Sequence, residues 1–273
     1  MRMWIFKNLC FVSILMTPLF IKADIKLSGL MSDGMVLQRD IEIPVWGWAA
    51  PDEKIDITLG KQTIQTKADK DGNWIVRFNP LKASAEPIEL AIKANNTIKH
   101  GNILIGDVWL CSGQSNMAMS VGSSMNSKAE IENADNPQIR IFNVPLVSSF
   151  SPRKDIDGYL TGGWQICSPR TIPGFSAVGY FYGRELFKEL NIPIGLILSA
   201  WAGTPAIAWT SPNSMGKYKD TLDGYDRYRQ KQEKELGFNP GDSDKMQDWT
   251  KTKLKWLSLS NGSSKGKLPC LNF

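Results

Sequence analysis

Gly113-Gln114-Ser115-Asn116-Met117 follows an apolar run, Ile103 to Cys111, rich in β-branched and aromatic residues. Such a run, closed by Ser112-Gly113, predicts a buried strand ending in a tight turn. Ser115 then stands just past a strand's carboxyl end, where open α/β sheets place their ligands. A hydroxyl there can attack a carbonyl carbon while nearby backbone N–H groups stabilise the charge that develops on its oxygen. The chemistry this points to is acyl transfer, with Ser115 as nucleophile. The plainer reading of Ser115 is a helix N-cap, since serine is favoured there and apolar residues follow. Gln114 and Asn116 read as residues that order the turn, and Asn116 could equally cap the next helix.

A serine hydroxyl is a weak nucleophile until a base takes its proton, and histidine is the commonest base. The sequence holds one histidine, His100. It precedes the strand, so at ~3.3 Å per residue it belongs roughly 30 Å from Ser115. Its Asn-Lys-rich surroundings predict an exposed turn, and it is a poor base for this serine. Asp107 falls mid-strand and is expected to bond a neighbouring loop. Lys128 has no pattern that would make it a dyad partner of Ser115.

The elements that must position Ser115 divide the chain in two. From about Ile25 to Asn102 short alternating segments are broken by turn residues: Ile41 to Trp48, Lys54 to Leu59, Gln62 to Thr66, Asn73 to Phe78 and Pro87 to Ala94. Their spacing predicts a small β-sandwich over 24–102, with Asp71-Gly72 as a hairpin turn. From Ile103 strands alternate with helices. Ile139 to Val144 and Gly195 to Ser199 read as strands, with a helix from Ser176 to Leu190 between them. Val178, Phe181, Leu186 and Leu190 recur there at roughly helical spacing, and Asn191-Ile192-Pro193 ends it. This β-helix-β order predicts a parallel sheet with right-handed crossovers. Beyond about 212 the chain turns polar, with helices expected over Thr221 to Leu236 and around Lys245 to Leu257.

The pentapeptide departs from the Gly-x-Ser-x-Gly elbow of α/β-hydrolases, because Met117 stands at the second glycine. It resembles block I of the SGNH hydrolases, in the form carried by sialate O-acetylesterases and related carbohydrate acetylesterases. Ser32 to Arg39, Val45 to Ala49 and Asp71 to Trp74 resemble that family's β-rich amino-terminal domain. Val178 to Leu186 and Ile194 to Thr204 resemble its block II region. Several matches in order over roughly 27–210 are far more specific than one short pattern.

The resemblance implies an SGNH-hydrolase-like α/β fold, a parallel sheet flanked by helices and preceded by the small β-sandwich. It implies a serine esterase that removes O-acetyl groups from sialic acids or other acetylated glycans. The backbone N–H groups of Ser115 and Gly203 would form the oxyanion hole, although Ala202 replaces the first glycine of the family's Gly-Gly-Thr. The family's base lies in an Asp-x-x-His element, and an asparagine of a Gln-Gly-Glu-x-Asn element completes its oxyanion hole. Neither element follows Gly203. Residues 103–273 therefore read as a partial SGNH domain with a polar helical insertion from about 212, inactive alone. The reading from a different class is a secreted, non-catalytic carbohydrate-binding protein.

Composition fits a secreted globular chain. Of its 273 residues, 42% are hydrophobic, enough to supply a sizeable core. Its net charge of +5 is spread along the sequence. With no basic stripe joined to stacking aromatics, nucleic acid is not an expected partner. Arg2, Lys7 and the apolar run Leu9 to Ile21, followed by Ala23, read as a signal peptide over 1–23 and predict a periplasmic or extracellular address. That run is too short for a stable membrane span of ~20 residues. Cys111, Cys167 and Cys270 remain after its removal; a Cys111–Cys167 bridge is one possibility in an oxidising compartment, and Cys111 as apolar filler is the other. No metal-ligand cluster or phosphate loop is present in the sequence, so no cofactor is expected.

Overall fold

The computed structural model describes residues 24–147, 153–156, 162–211, 214, 219–237 and 245. The signal peptide expected over 1–23, Cys270 and all but Lys245 of the helix expected around 245–257 lie outside them. The chain begins with strands β1 (Lys26–Leu27), β2 (Val36–Gln38), β3 (Ile43–Trp48), β4 (Lys54–Leu59), β5 (Gln62–Lys67), β6 (Asn73–Phe78) and β7 (Ser84–Lys93). Then come β8 (Thr97–Gly113), helices α1 (Ser115–Ala118) and α2 (Ser127–Glu132), and strands β9 (Asn136–Asn143) and β10 (Gln165–Cys167). Helix α3 (Ala177–Leu190), strand β11 (Ile194–Ala200) and helix α4 (Lys219–Leu236) complete the order.

Alternation makes the β-rich half. Along β3, β4 and β6 every second residue is buried, the period that puts one face of each strand on a core. Ile43, Val45, Trp74, Val76 and Phe78 of the three-stranded sheet β1-β3-β6 share that core with Ile55, Ile57, Leu59, Leu90 and Ile92 of the larger sheet. The turn at Asp71-Gly72 is not a hairpin: β5 pairs with β4 and β6 with β3, so the chain crosses from one sheet to the other there. The Asp69 carboxylate shapes this turn by accepting from the N–H groups of Asp71 and Asn73 at 2.9 and 2.8 Å. The tight hairpin is β4–β5, where Leu59 faces Gln62 across Gly60-Lys61 and Gly60 takes φ +55°.

One strand serves both halves. β8 runs unbroken past position 102, pairing antiparallel with β7 in its first part and parallel with β11 in its last. The larger sheet therefore has the order β10-β9-β11-β8-β7-β4-β5, with β2 also against β8. At the handover a Cβ on Gly106 would lie 1.9 Å from the Pro193 carbonyl oxygen, so only glycine lets the entry to β11 pass this close. Just beyond, the Asp107 carboxylate accepts from Arg39 Nε at 2.8 Å and Gln38 Nε2 at 3.3 Å, clamping the segment after β2 to the strand as its position predicted. The Arg39 hydrogen bond holds that carboxyl below the usual range against the opposing effect of burial, and the Gln38 bond and the Arg39 charge add to it.

A buried arginine braces the same region from the other side. Arg140 of β9 donates to the carbonyls of Pro137 (2.7 Å) and Gly34 (3.0 Å) and to Asn102 Oδ1 (3.1 Å), while burial lowers the pKa of its guanidinium. Asn102 itself sits at φ +55°, a conformation asparagine tolerates better than most residues. We expect Arg140→Leu to destabilise the fold by about 2–3 kcal/mol, because buried carbonyls lose charged donors. Urea unfolding followed by tryptophan fluorescence measures this, and a cost under about 0.5 kcal/mol would contradict it.

Helix α3 lies on β8 and β11 through its smallest residues. Ser176 caps it, its Oγ accepting from Gly179 N–H at 3.0 Å, and Asn191 ends it in the left-handed conformation. The buried face is Ala177, Gly179, Tyr180 and Gly183, with Phe181, Leu186 and Phe187 packed at its margin. Of the residues that recur at helical spacing, Val178 and Leu190 are 46% and 45% exposed. The reason is close approach: a Cβ on Gly179 would sit 3.0 Å from Cys111 Sγ, and one on Gly183 2.7 Å from Leu196. Arg184 ties α3 to α2 through Glu130 and lies 5.0 Å from the centroid of the Phe181 ring.

Cys111 and Cys167 are both buried and free, so the bridge that was one possibility for them is not formed. β8 and β10 are three strand steps apart in the sheet. At ~4.8 Å per step this is far beyond the ~7 Å limit between Cα atoms of a disulfide. Burial, and then the Asp135 carboxylate, push the Cys167 thiol up to about 12; burial also raises Cys111. Both thiols are therefore expected to resist iodoacetamide at pH 8 in the native chain and to react in urea, as peptide mapping will show. Rapid native labelling of Cys167 would contradict the packing.

Candidate active site

β8 carries Ser115 to the carboxyl end of the sheet. Its last residue pairs with the last residue of β11, Gly113 opposite Ala200, and Trp201 N–H donates to the Gly113 carbonyl at 3.0 Å. The chain leaves β8 through Gly113 at φ +148°, a conformation that side-chain-bearing residues rarely adopt. Ser115 then opens α1 as its first residue, exposed, with Gln114 rather than Ser115 at the capping position and no side-chain cap bond. The N-cap reading of Ser115 is thereby set aside. Ser115 Oγ donates to Gln114 Oε1 at 2.9 Å, so Gln114 orients the hydroxyl as its ordering role predicted. Asn116 is exposed inside α1 and caps nothing.

Met117 explains why this turn differs from a Gly-x-Ser-x-Gly elbow. Its side chain faces inward, within 3.3 Å of where a Cβ on Gly113 would be, and its sulfur accepts from Ser176 Oγ at 3.5 Å. Ser176 is fully buried, and the Ala177 N–H donates to the Met119 carbonyl at 2.8 Å. The turn after Ser115 is thus laced to the amino end of α3. The sequence marked Ser176 as a helix start, but nothing in it linked that residue to the serine turn.

Gly203 lies in the loop after β11, exposed, at φ +80°, with open space where a Cβ would point. Because Gly113 and Ala200 are register partners, Ser115 and Gly203 are two and three residues beyond a common pair and share one mouth of the sheet. Beside Gly203, Thr204 Oγ1 donates to the Trp201 carbonyl at 2.7 Å and accepts from Trp209 Nε1 at 2.8 Å, closing the loop on itself.

His100 is not brought to this mouth. It lies within β8, opposite Leu90, not in the turn expected, and is partly buried with Nδ1 3.7 Å from the Asp33 carboxylate. It stands thirteen positions before Gly113 in the same strand, toward the end away from the serine turn. Lys128 is in α2 and makes no ion pair among the described residues. Among the described residues no group of three His, Cys, Asp or Glu side chains could hold a metal ion, and no helix is long and apolar enough to cross a membrane.

Strands β9, β11 and β8 run parallel, helix α3 packs on them, and a serine turn stands at their carboxyl ends. This is an SGNH-like α/β fold of the carbohydrate esterase type. A solved carbohydrate acetylesterase from Xanthomonas citri superposes with a TM-score of 0.67 at 34% identity, over 71% of this chain and 44% of that one. Sialate O-acetylesterase from Homo sapiens is 33% identical over 224 residues, 74% of this chain and 43% of that protein. The Rattus norvegicus enzyme is 31% identical over 207 residues, 70% and 38% respectively. No family model matches. The chain belongs to the sialate O-acetylesterase family, and it spans less than half the length of the relatives it matches.

Proposed function

We propose that Ser115 is the nucleophile of an O-acetylesterase acting on acetylated sugars, O-acetylated sialic acids or similarly decorated glycans. The observation that carries this is the shared register of Gly113 and Ala200, which sets Ser115 and the Gly203 loop at one mouth. Ser115 Oγ attacks the acetyl carbonyl as its proton passes to a base, and the N–H groups of Ser115 and Gly203 hold the oxyanion. The tetrahedral intermediate expels the sugar oxygen, which takes the proton. Water then releases acetate and regenerates Ser115. The signal-peptide reading of residues 1–23 suits delivery to the periplasm or beyond, where such glycans are met.

The base of this mechanism is not His100, which is the chain's one histidine. The reaction therefore draws its base from polypeptide outside the segment matched to the relatives, and the chain by itself is expected not to hydrolyse esters. The test is a chimera in which this chain replaces the matched 44% of the Xanthomonas citri enzyme. Release of acetate from an acetylated sugar that depends on Ser115 supports the reading. A chimera whose turnover survives Ser115→Ala overturns it. Glycan binding by the chain with no Ser115-dependent turnover in the chimera would favour the non-catalytic carbohydrate-binding alternative.

A further inference from the structure

In the loop after β11 one hydroxyl makes two hydrogen bonds, and each fixes the sense of the other. Trp201-Ala202-Gly203-Thr204 is a turn whose third residue, Gly203, takes φ +80°. That is the value a type II turn demands there, and glycine adopts it without strain. The Thr204 hydroxyl reaches back across the turn to the Trp201 carbonyl at 2.7 Å, and it accepts from Trp209 Nε1 at 2.8 Å. A hydroxyl has one proton to donate, and an indole nitrogen is a donor only. With Trp209 on its acceptor side, Thr204 commits that proton to Trp201.

Both ends of this arrangement are anchored. Trp201 N–H donates to the Gly113 carbonyl at 3.0 Å, two residues before Ser115. Trp209 ends a short 3₁₀ turn, Ala206–Trp209, whose Ala208 N–H donates to the Pro205 carbonyl at 3.0 Å. Between the anchors lies the Ala202–Gly203 peptide, which carries the N–H assigned above to the oxyanion. Packing does not hold that peptide: Gly203 is exposed, and nothing lies within 4 Å of where its Cβ would be. Glycine is also the residue with most backbone freedom to lose. Its restraint comes from the bonds that close the turn.

We propose that Thr204 is a positioning residue for the oxyanion hole, its hydroxyl oriented by Trp209 and holding closed the turn that aims the Gly203 N–H at the acetyl oxygen. The proposal rests on the Ser115 and Gly203 reading given above. Neither side chain needs to touch the sugar. The oxyanion forms on the acetyl group of every substrate, so a misplaced donor slows the chemical step alike whatever alcohol leaves.

The test places Thr204→Val, Thr204→Ser, Trp209→Phe and Thr210→Val in the chimera described above. Thr204→Val keeps the shape and removes the hydroxyl. It should lower kcat at least about tenfold on an acetylated sugar, and by the same factor on a chromogenic acetyl ester, with KM within about twofold; deleting an oxyanion donor outright costs about 10²–10³-fold. Thr204→Ser restores the hydroxyl and should stay within about threefold of the parent. Trp209→Phe leaves the hydroxyl proton uncommitted and should cost less than Thr204→Val, and the double variant should cost no more than Thr204→Val alone, because both act through one bond. Thr210→Val is the control, since that hydroxyl bonds the Ala206 carbonyl at 3.0 Å and not the turn, and it should leave the rates unchanged. In the lone chain the NMR order parameter of the Gly203 amide should fall in Thr204→Val and not in Thr204→Ser, with thermal melts to confirm that each variant folds.

Thr204→Val within about threefold of the parent, an equal loss in Thr204→Ser, or a Gly203 amide indifferent to Thr204→Val would overturn the proposal. So would a loss confined to the sugar substrate or falling on KM, which would make the Thr204 and Trp209 pair a sugar contact instead. The two readings fail separately. A chimera with no Ser115-dependent turnover, together with a Gly203 amide loosened by Thr204→Val, defeats the Ser115 reading and leaves the lock on the turn standing. An active chimera indifferent to Thr204→Val defeats the lock alone.

Discussion

Gly106→Ala should cost about 4 kcal/mol or more and leave little of the chain cooperatively folded at room temperature. A methyl group there overlaps backbone, not a flexible side chain: the Pro193 oxygen would be 1.9 Å away and the Pro193 carbonyl carbon 2.6 Å away. Relief requires separating β8 from the entry to β11, and the Asp107 to Pro193 hydrogen bond that starts their parallel ladder goes with it. Ordinary overpacking costs about 1–3 kcal/mol because side chains can shift; here the neighbour is main chain on both sides. Gly174→Ala is the control, since nothing lies within 4 Å of the place its added methyl would take, and it should stay within about 0.5 kcal/mol of the parent. Urea unfolding followed by far-ultraviolet circular dichroism separates the two. A Gly106→Ala protein with a transition near the parent's would mean that β8 and β11 are not packed this tightly.

Ser115→Ala in the active chimera should lower kcat for acetate release by at least about 10⁴-fold, with residual rate from oxyanion and binding contacts alone. The loss should fall on kcat, because the hydroxyl forms a bond in the reaction and contributes little to ground-state binding. Ser115→Cys keeps a nucleophile of altered size and reactivity and should retain part of the acylation that Ala abolishes. In the lone chain, by contrast, parent and Ser115→Ala should be indistinguishable on a chromogenic acetyl ester, since the one histidine lies toward the other end of β8. Serine-dependent turnover by the lone chain would show that some group other than His100 takes the proton.

Much of this was legible in the sequence, and particular residues show why. Lys54–Leu59 and Asn73–Phe78 were bounded correctly because strict alternation leaves one face apolar and the turns on either side are rich in Gly, Asp and Asn. The α3 boundaries followed from a serine at the start and Asn191-Ile192-Pro193 at the end. The turn that carries Ser115 was readable because an apolar run closed by Ser112-Gly113 ends a strand in a sharp exit. The hairpin expected at Asp71-Gly72 failed because a turn residue fixes the local reversal but not which sheet receives the next strand. The buried face of α3 does not follow from apolar spacing, because close packing on Cys111 and Leu196 favours the absence of a side chain at Gly179 and Gly183.

Local conformations, the serine turn and the family could all be read from the residues in order, because propensity, turn chemistry and motif order act over a few residues at a time. Only the folded chain revealed that β8 is one strand shared by both halves and that Cys111 and Cys167 stand three strands apart. The same holds for the lacing of Met117 to Ser176. These depend on contacts between residues distant in the chain, whose energies come from packing and hydrogen bonding that no short stretch of sequence encodes.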